Sequence, residues 1–418
     1  MNSSRAFPTA AQGREPPVGL VLTGGGARSA YQVGVLSAVA RLLPREAPSP
    51  FRIVTGMSAG AIVAAAVACH SSRFREGVVA LERVWRNFHV DQVFKADRRS
   101  MVQAHIRWLL ALVSAGRLMR PPESVFDSTP LKHLLERHYD FRRMREAMGR
   151  GHLDGLAIAA SSYRTAQSVA FIECRSGSAP RAEAWARGVH TQLTIDHLLA
   201  SSAVPFLFPA LQMNGEYYGD GAMRQIAPLS PAIRLGAERL FVIGVRGAAQ
   251  SAPIPAINHT AAPSIGQIVG FMLDTLFIDS LHSSLAQLER LNRLIEQSAV
   301  PNPEGLRRIE ALVIVPRANL NEIAARHARA MPRALRSLFR TIGAANVSGS
   351  ELLSYLLFEA SYTRELIALG YEDAMAREDE IRAFIAAGRR QPEAHASRAQ
   401  ELPSGDDLPS VDLLPMTG

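Results

Sequence analysis

The sequence predicts an α/β fold built on a mostly parallel sheet. Three observations carry that expectation. Short apolar runs of strand length alternate with helical patterns along the chain. Two of those runs end in glycine-rich turns that lead straight into helices. Finally, 47% of the 418 residues are hydrophobic, enough for a large core and one or two domains.

The first element is the buried strand Val18-Gly19-Leu20-Val21-Leu22. It runs into Thr23-Gly24-Gly25-Gly26-Ala27-Arg28, and a helical pattern starts at Ser29. Three consecutive glycines there free several backbone N–H groups to face one spot, with the positive end of the helix dipole behind them. Such a nest suits an anion, either a phosphate or the oxyanion of an acyl-transfer intermediate. The spacing of Gly24, Gly26 and Ser29 comes near a dinucleotide fingerprint. However, the next strand ends in no acidic residue to hold a ribose, and no G-x-x-x-x-G-K-[ST] loop exists. A tight turn without a ligand is the plain alternative.

The second unit is Phe51-Arg52-Ile53-Val54-Thr55, then Gly56-Met57-Ser58-Ala59-Gly60, then the apolar helix from Ala61 to Ala68. A G-x-S-x-G at a strand-to-helix turn holds its serine in a strained backbone with the hydroxyl presented at the end of a sheet. Ala59 and Gly60 are small enough for strand and helix to approach closely. By pattern alone the pentapeptide has low specificity; its context makes Ser58 a candidate nucleophile.

Further along, Phe126-Asp127-Ser128-Thr129-Pro130-Leu131 starts a helix, with capping residues and an early proline. Residues 156–160 and 168–172 read as strands. Asn214-Gly215 between Leu211-Gln212-Met213 and Glu216-Tyr217-Tyr218 predicts a hairpin. It leads into Gly219-Asp220-Gly221-Ala222, where Asp220 sits at a strand end between two glycines. Alone, Asp220 reads as a turn aspartate. Residues 240–245 and 312–316 give two more strands, and a helical close starts at Ser350.

Taken together, Gly-Gly-Gly-Ala-Arg, Gly-Met-Ser-Ala-Gly and Asp-Gly-Ala closely resemble the patatin-like phospholipase family, in its motif order and roughly its spacing. The segment from Ser201 to Pro209 also resembles that family's approach to its aspartate. Ser29 stands where many members carry glycine. The resemblance covers about residues 17–245 and suggests a bacterial member. It implies a three-layer α/β/α catalytic domain over 17–246 and a largely helical C-terminal extension over 247–388, packed on that domain. It also implies a catalytic dyad: Ser58 as nucleophile and Asp220 as proton acceptor, with no histidine between them. Backbone groups of Gly24, Gly25 and Gly26 would hold the oxyanion, with Arg28 bracing the loop or adding positive potential. Gly56, Gly60, Gly221 and Ala222 complete the motifs. The implied reaction is hydrolysis of fatty-acyl esters by a serine acyl hydrolase, without cofactor or metal. An unperturbed aspartate, with a pKa of about 3.9, is a poor base for a serine, so Asp220 needs a raised value.

Two rival readings stand beside it. One is a Ser-His-Asp esterase of α/β-hydrolase type, with His259 or His282 after the acid and His190 and His197 before it. The other is a catalytically silent lipid-binding protein on the same fold.

Composition narrows the partners. Two cysteines, Cys69 and Cys174, offer neither a disulfide framework nor a thiolate metal site. The net charge of +8 is almost all arginine, with lysine at Lys95 and Lys132 only. A positive surface draws anionic lipid or nucleic acid; no nucleic-acid motif is present, so an acyl-lipid substrate and peripheral membrane contact fit better. Two stretches are candidates for that contact: residues 106–113, as a lid or interfacial helix against the plainer reading of a helix packed on the core, and the arginines 326, 329, 333, 336 and 340, between which Pro332 breaks the helix, against the plainer reading of a solvated charged face. No Sec-type leader and no apolar run of membrane-spanning length are read, which predicts a cytoplasmic or membrane-peripheral protein, with non-Sec export open. Residues 1–16 read as a flexible N-terminus and 389–418 as a disordered tail.

Overall fold

A computed structural model describes residues 17–95, 124–175, 188–247, 262, 264–297, 306–344 and 350–387. The compact unit that holds them runs from Pro16 to Gly388. The N-terminal segment, residues 106–113 and the C-terminal tail lie outside the described residues.

In chain order the front half carries β1 (Val18–Leu22), α1 (Ala30–Leu42), β2 (Ile53–Met57), α2 (Ala59–Cys69), α3 (Phe74–Arg86), α4 (Thr129–His138) and α5 (Phe141–Gly149). β3 (Gly155–Ser162), β4 (Gln167–Cys174), β5 (Gly188–His190) and α6 (Ile195–Ser201) follow. Then come the hairpin β6 (Leu211–Met213) and β7 (Glu216–Gly219), α7 (Ser230–Arg234) and β8 (Arg239–Ile243). The back half carries α8 (Ile265–Gln297), β9 (Glu310–Ile314), α9 (Leu320–His327), α10 (Arg333–Thr341), α11 (Ser350–Leu356), α12 (Ala360–Met375) and α13 (Glu378–Ala387).

Nine strands form one sheet in the order β5-β4-β3-β2-β1-β8-β9, with the β6–β7 hairpin joined through β7 to β3. The neighbours of β1, β2, β8 and β9 are parallel, save that β4 and β7 run antiparallel to β3. β1 and β2 are buried along their whole length and read as unbroken apolar runs because both faces are covered. Leu20, Leu22, Val54 and Ile158 point into one core, with α1, α2 and α12. Val21, Ile53, Ala157 and Val242 point into a second, with α7 and the later turns of α8. The result is a three-layer α/β/α arrangement with a mostly parallel sheet, as the sequence predicts.

The Asn214-Gly215 turn has φ of 51° and 80° at its two residues, the left-handed pair that a two-residue hairpin demands. The arginine stretch breaks at Pro332, which caps α10, so Arg326 and Arg340 sit on different helices.

One expectation needs correction. α8 has 33 residues and is long and apolar enough to cross a bilayer by length and composition. The sequence hides this because Asp274 and Asp279 interrupt the apolar residues. In the fold Asp274 is turned inward and paired with Arg28 and Arg246, which places that turn of α8 against the protein.

Candidate active site

Strand order reverses beside β1, because the chain leaves β1 for β2 on one side and takes up β8 on the other. Such switch points open a crevice at the carboxyl ends of the strands. The glycine loop leaves β1 there, and Ser58 leaves β2.

Ser58 has φ 53° and ψ −133°, a left-handed backbone that a side chain rarely adopts. α2 starts at the next residue. A Cβ on Gly60 would stand 2.4 Å from the Thr23 carbonyl oxygen, so only glycine lets α2 begin this close to the end of β1. The Ser58 N–H donates to Ser201 Oγ at 2.9 Å, and Ser201 Oγ donates to the Ala159 carbonyl at 2.6 Å. The elbow is thereby tied to α6 and β3.

In the glycine loop, the N–H groups of Gly24, Gly25 and Gly26 form no hydrogen bond with the described residues. Gly26 has φ 54°, and a Cβ there would stand 2.3 Å from the Tyr355 carbonyl oxygen. Arg28 is hydrogen-bonded through both its backbone and its side chain. Its N–H closes the loop onto the Gly25 carbonyl at 3.0 Å. Its guanidinium is fully buried and turned to Asp274 (3.2 Å), Tyr355 Oη (2.9 Å), Ser354 Oγ (2.8 Å) and Asn321 Oδ1 (2.7 Å). That polar set neutralises a charge whose burial would otherwise be costly.

Asp220 follows β7. Its N–H donates to the Ala203 carbonyl at 2.9 Å, and its own carbonyl accepts from Ser161 Oγ at 2.8 Å. Oδ1 accepts the Ala222 N–H at 2.9 Å, while Oδ2 is buried without a hydrogen-bond partner among the described residues. Burial pushes the Asp220 carboxyl up to about 7, against the opposing pull of the Ser58 hydroxyl and the Ala222 N–H. Tyr217 and Tyr218 are strand residues; Tyr218 Oη donates to Glu216.

No described histidine hydrogen-bonds to Ser58 or Asp220. His197 packs edge-on against Phe171, His190 lies beside Cys174, and His282 is exposed on α8. His259 lies outside the described residues. Among the described residues no group of three His, Cys, Asp or Glu side chains is placed to hold a metal.

Ser58 and Gly26 open onto an apolar groove. Its walls include single faces of three helices: Ile62 and Ala66 of α2, with His70 just past its end; Gly77, Leu81 and Trp85 of α3; Leu131, Leu135 and His138 of α4. From Ser58 to His70 the groove follows α2 for about 18 Å at 1.5 Å per residue. One leaflet of a bilayer's hydrocarbon core, about 15 Å deep, is of comparable length.

A serine at a strained strand-to-helix turn, a nest of N–H groups without partners among the described residues and an apolar groove meet at one crevice. The chain belongs to the patatin-like phospholipase family, whose model matches residues 20–233. Two solved structures are similar. VipD from Legionella pneumophila shares 14% identity over 91% of this chain and 72% of its own, with a TM-score of 0.39. Human GIVD cytosolic phospholipase A2, in complex with methyl gamma-linolenyl fluorophosphonate, shares 13% over 92% of this chain and 61% of its own, with a TM-score of 0.40. No curated protein matches the chain.

The sequence brings Ser58, Asp220 and the glycines into view. It does not bring Ser161 or Asp274, which have no motif, nor a role for Ser201, which stands in a recognisable segment.

Proposed function

We propose that this chain hydrolyses fatty-acyl esters of phospholipids or related acyl lipids, with Ser58 as nucleophile and Asp220 as its base. The observation that carries the reading is the Asp220 carboxyl, fully buried beside Ser58, with one oxygen free and a pKa of about 7. A base tuned to that range holds its charge near neutral pH and still accepts a proton usefully.

The steps use this chain's own groups and water. The acyl chain lies along α2 and sets the ester carbonyl at Ser58. Asp220 takes the Ser58 Oγ proton as Oγ bonds to the carbonyl carbon. The oxyanion formed is stabilised by the N–H groups of Gly24, Gly25 and Gly26. The intermediate collapses, the ester C–O bond breaks, and the leaving alcohol takes the proton from Asp220. Water then gives a proton to Asp220 and attacks the acyl-enzyme. The second tetrahedral intermediate expels Ser58 Oγ, which recovers that proton, and the fatty acid departs.

Fluorophosphonate labelling followed by intact-mass measurement tests the assignment. Wild type should gain one adduct, mapped to Ser58. Ser58→Ala should gain none and Asp220→Asn should label at least a hundredfold more slowly. An adduct on another residue, or undiminished labelling of Asp220→Asn, would overturn it. A folded wild type that binds lipid but takes no adduct and releases no fatty acid would favour the silent lipid-binding protein.

A further inference from the structure

The first turns of α8 are built inside out. Gly266 packs on Ala344, and Gly270 on Glu351 and Leu352, so the glycines face the protein. The large apolar side chains face solvent: Ile265 is 65% exposed, Ile268 47%, Phe271 70% and Met272 48%. A helix serving only a core would reverse that choice. Exposed apolar side chains grouped on one helical face mark an interaction surface.

Two neighbours say what covers it. The first is the groove: Leu273, the next residue after Met272, lines the same groove as Ser58. Asp274 follows it and pairs with Arg28 behind the glycine loop. Phe206, 71% exposed and held at φ 66°, stands in the chain between two further groove-lining residues, Val204 and Leu207. Exposed apolar groups therefore adjoin groove-lining residues in two separate segments. The second neighbour is charge. The start of α8 abuts the end of α10, where the Gly266 N–H donates to the Ile342 carbonyl at 2.7 Å and a Cβ on Gly343 would meet Ser264. α10 has no acidic residue, and its Leu335 and Phe339 are buried while Arg333 and Arg340 are exposed.

We propose that the α8 face of Ile265, Ile268, Phe271 and Met272, with the adjoining arginines of α10, docks on an anionic phospholipid bilayer and sets the groove mouth against the lipid. This rests on the reading of the groove as an acyl-lipid site. The apolar face supplies insertion and the arginines supply attraction to anionic headgroups.

The test separates docking from catalysis. Full-length Ser58→Ala protein, which cannot turn substrate over, is sedimented with vesicles of phosphatidylcholine alone or with phosphatidylglycerol. Binding should favour the anionic vesicles and weaken with salt. Adding Ile268→Ser and Phe271→Ser should weaken it at least tenfold. Adding Arg333→Gln and Arg340→Gln should cost about fivefold per arginine on anionic vesicles only. With Ser58 intact, the same substitutions should leave cleavage of a short soluble ester unchanged, which also shows that they fold. Equal vesicle binding by all variants, or none by the parent, would overturn the docking face while soluble-ester cleavage stands. Loss of a dimer on substitution, with vesicle binding untouched, would reassign the face to self-association. Loss of soluble-ester cleavage in the parent enzyme would instead count against the catalytic reading.

Discussion

Asp220 works against the stability of its own fold. An unfolded aspartate ionises near 3.9, whereas the folded one is held at about 7. Between those values the native state keeps a proton that the unfolded chain has lost. Stability therefore falls as pH rises through that window, and the penalty is complete above 7. Asp220→Asn keeps an acceptor for the Ala222 N–H and removes the ionisation. At pH 8 it should raise stability by roughly 1–3 kcal/mol, the ionisation penalty less the cost of an unpartnered buried amide. At pH 4 the gain should vanish; denaturant melts at both pH values check this. Activity should follow the opposite course, with kcat/KM of wild type climbing about tenfold per pH unit below 7 and levelling above it. Ser201 is the second residue to probe. Ser201→Ala removes the acceptor of the Ser58 N–H and should lower kcat at least tenfold with little change in KM, by loosening the elbow. Ser58 is legible as a candidate because the glycine and strand–turn pattern around it is local, whereas Asp220 alone reads as a turn residue and becomes a candidate only through the resemblance of the three motifs together. Ser201 acts on Ser58 from 143 residues away, and nothing near it in sequence names that partner.

At the scale of elements, α2 does two jobs. It is apolar all round because one side packs in the core and the other lines the groove. Ala66 stands eight residues beyond Ser58, about 12 Å along the groove. Ala66→Leu should narrow it there, so turnover of short acyl esters persists while that of long ones falls at least tenfold. A chain-length series on one headgroup reads this out, and a uniform loss across the series would show that the acyl chain does not run along α2. The reading of strands and of this helix from sequence succeeds because their residues are apolar in unbroken runs. α8 is the contrast. Its apolar residues are spread at helical spacing among Asp274, Asp279 and polar side chains, and its inward glycines invert the pattern that usually marks a packed face.

Across the whole molecule, the Arg28 guanidinium joins the start of the chain to Asp274, Asn321, Ser354 and Tyr355. Those partners lie 246 to 327 residues downstream, which is why the sequence leaves Arg28 with two possible roles. Asp274→Asn leaves the buried charge without its carboxylate and should cost about 3–5 kcal/mol in a denaturant melt. The sheet crosses the same divide, because β9 pairs with β8 from Arg239↔Glu310 to Ile243↔Ile314. A chain cut after residue 246 would bare the Leu240-Phe241-Val242-Ile243 edge, an open template for pairing with another chain. Such a fragment should precipitate, and light scattering should show it rescued when the remainder is supplied in trans. On that expectation the stretch that matches the family model, residues 20–233, which stops short of β8, should not fold by itself either. Recombination between relatives should then exchange the front half only together with the back helices, and the two would be inherited as one piece.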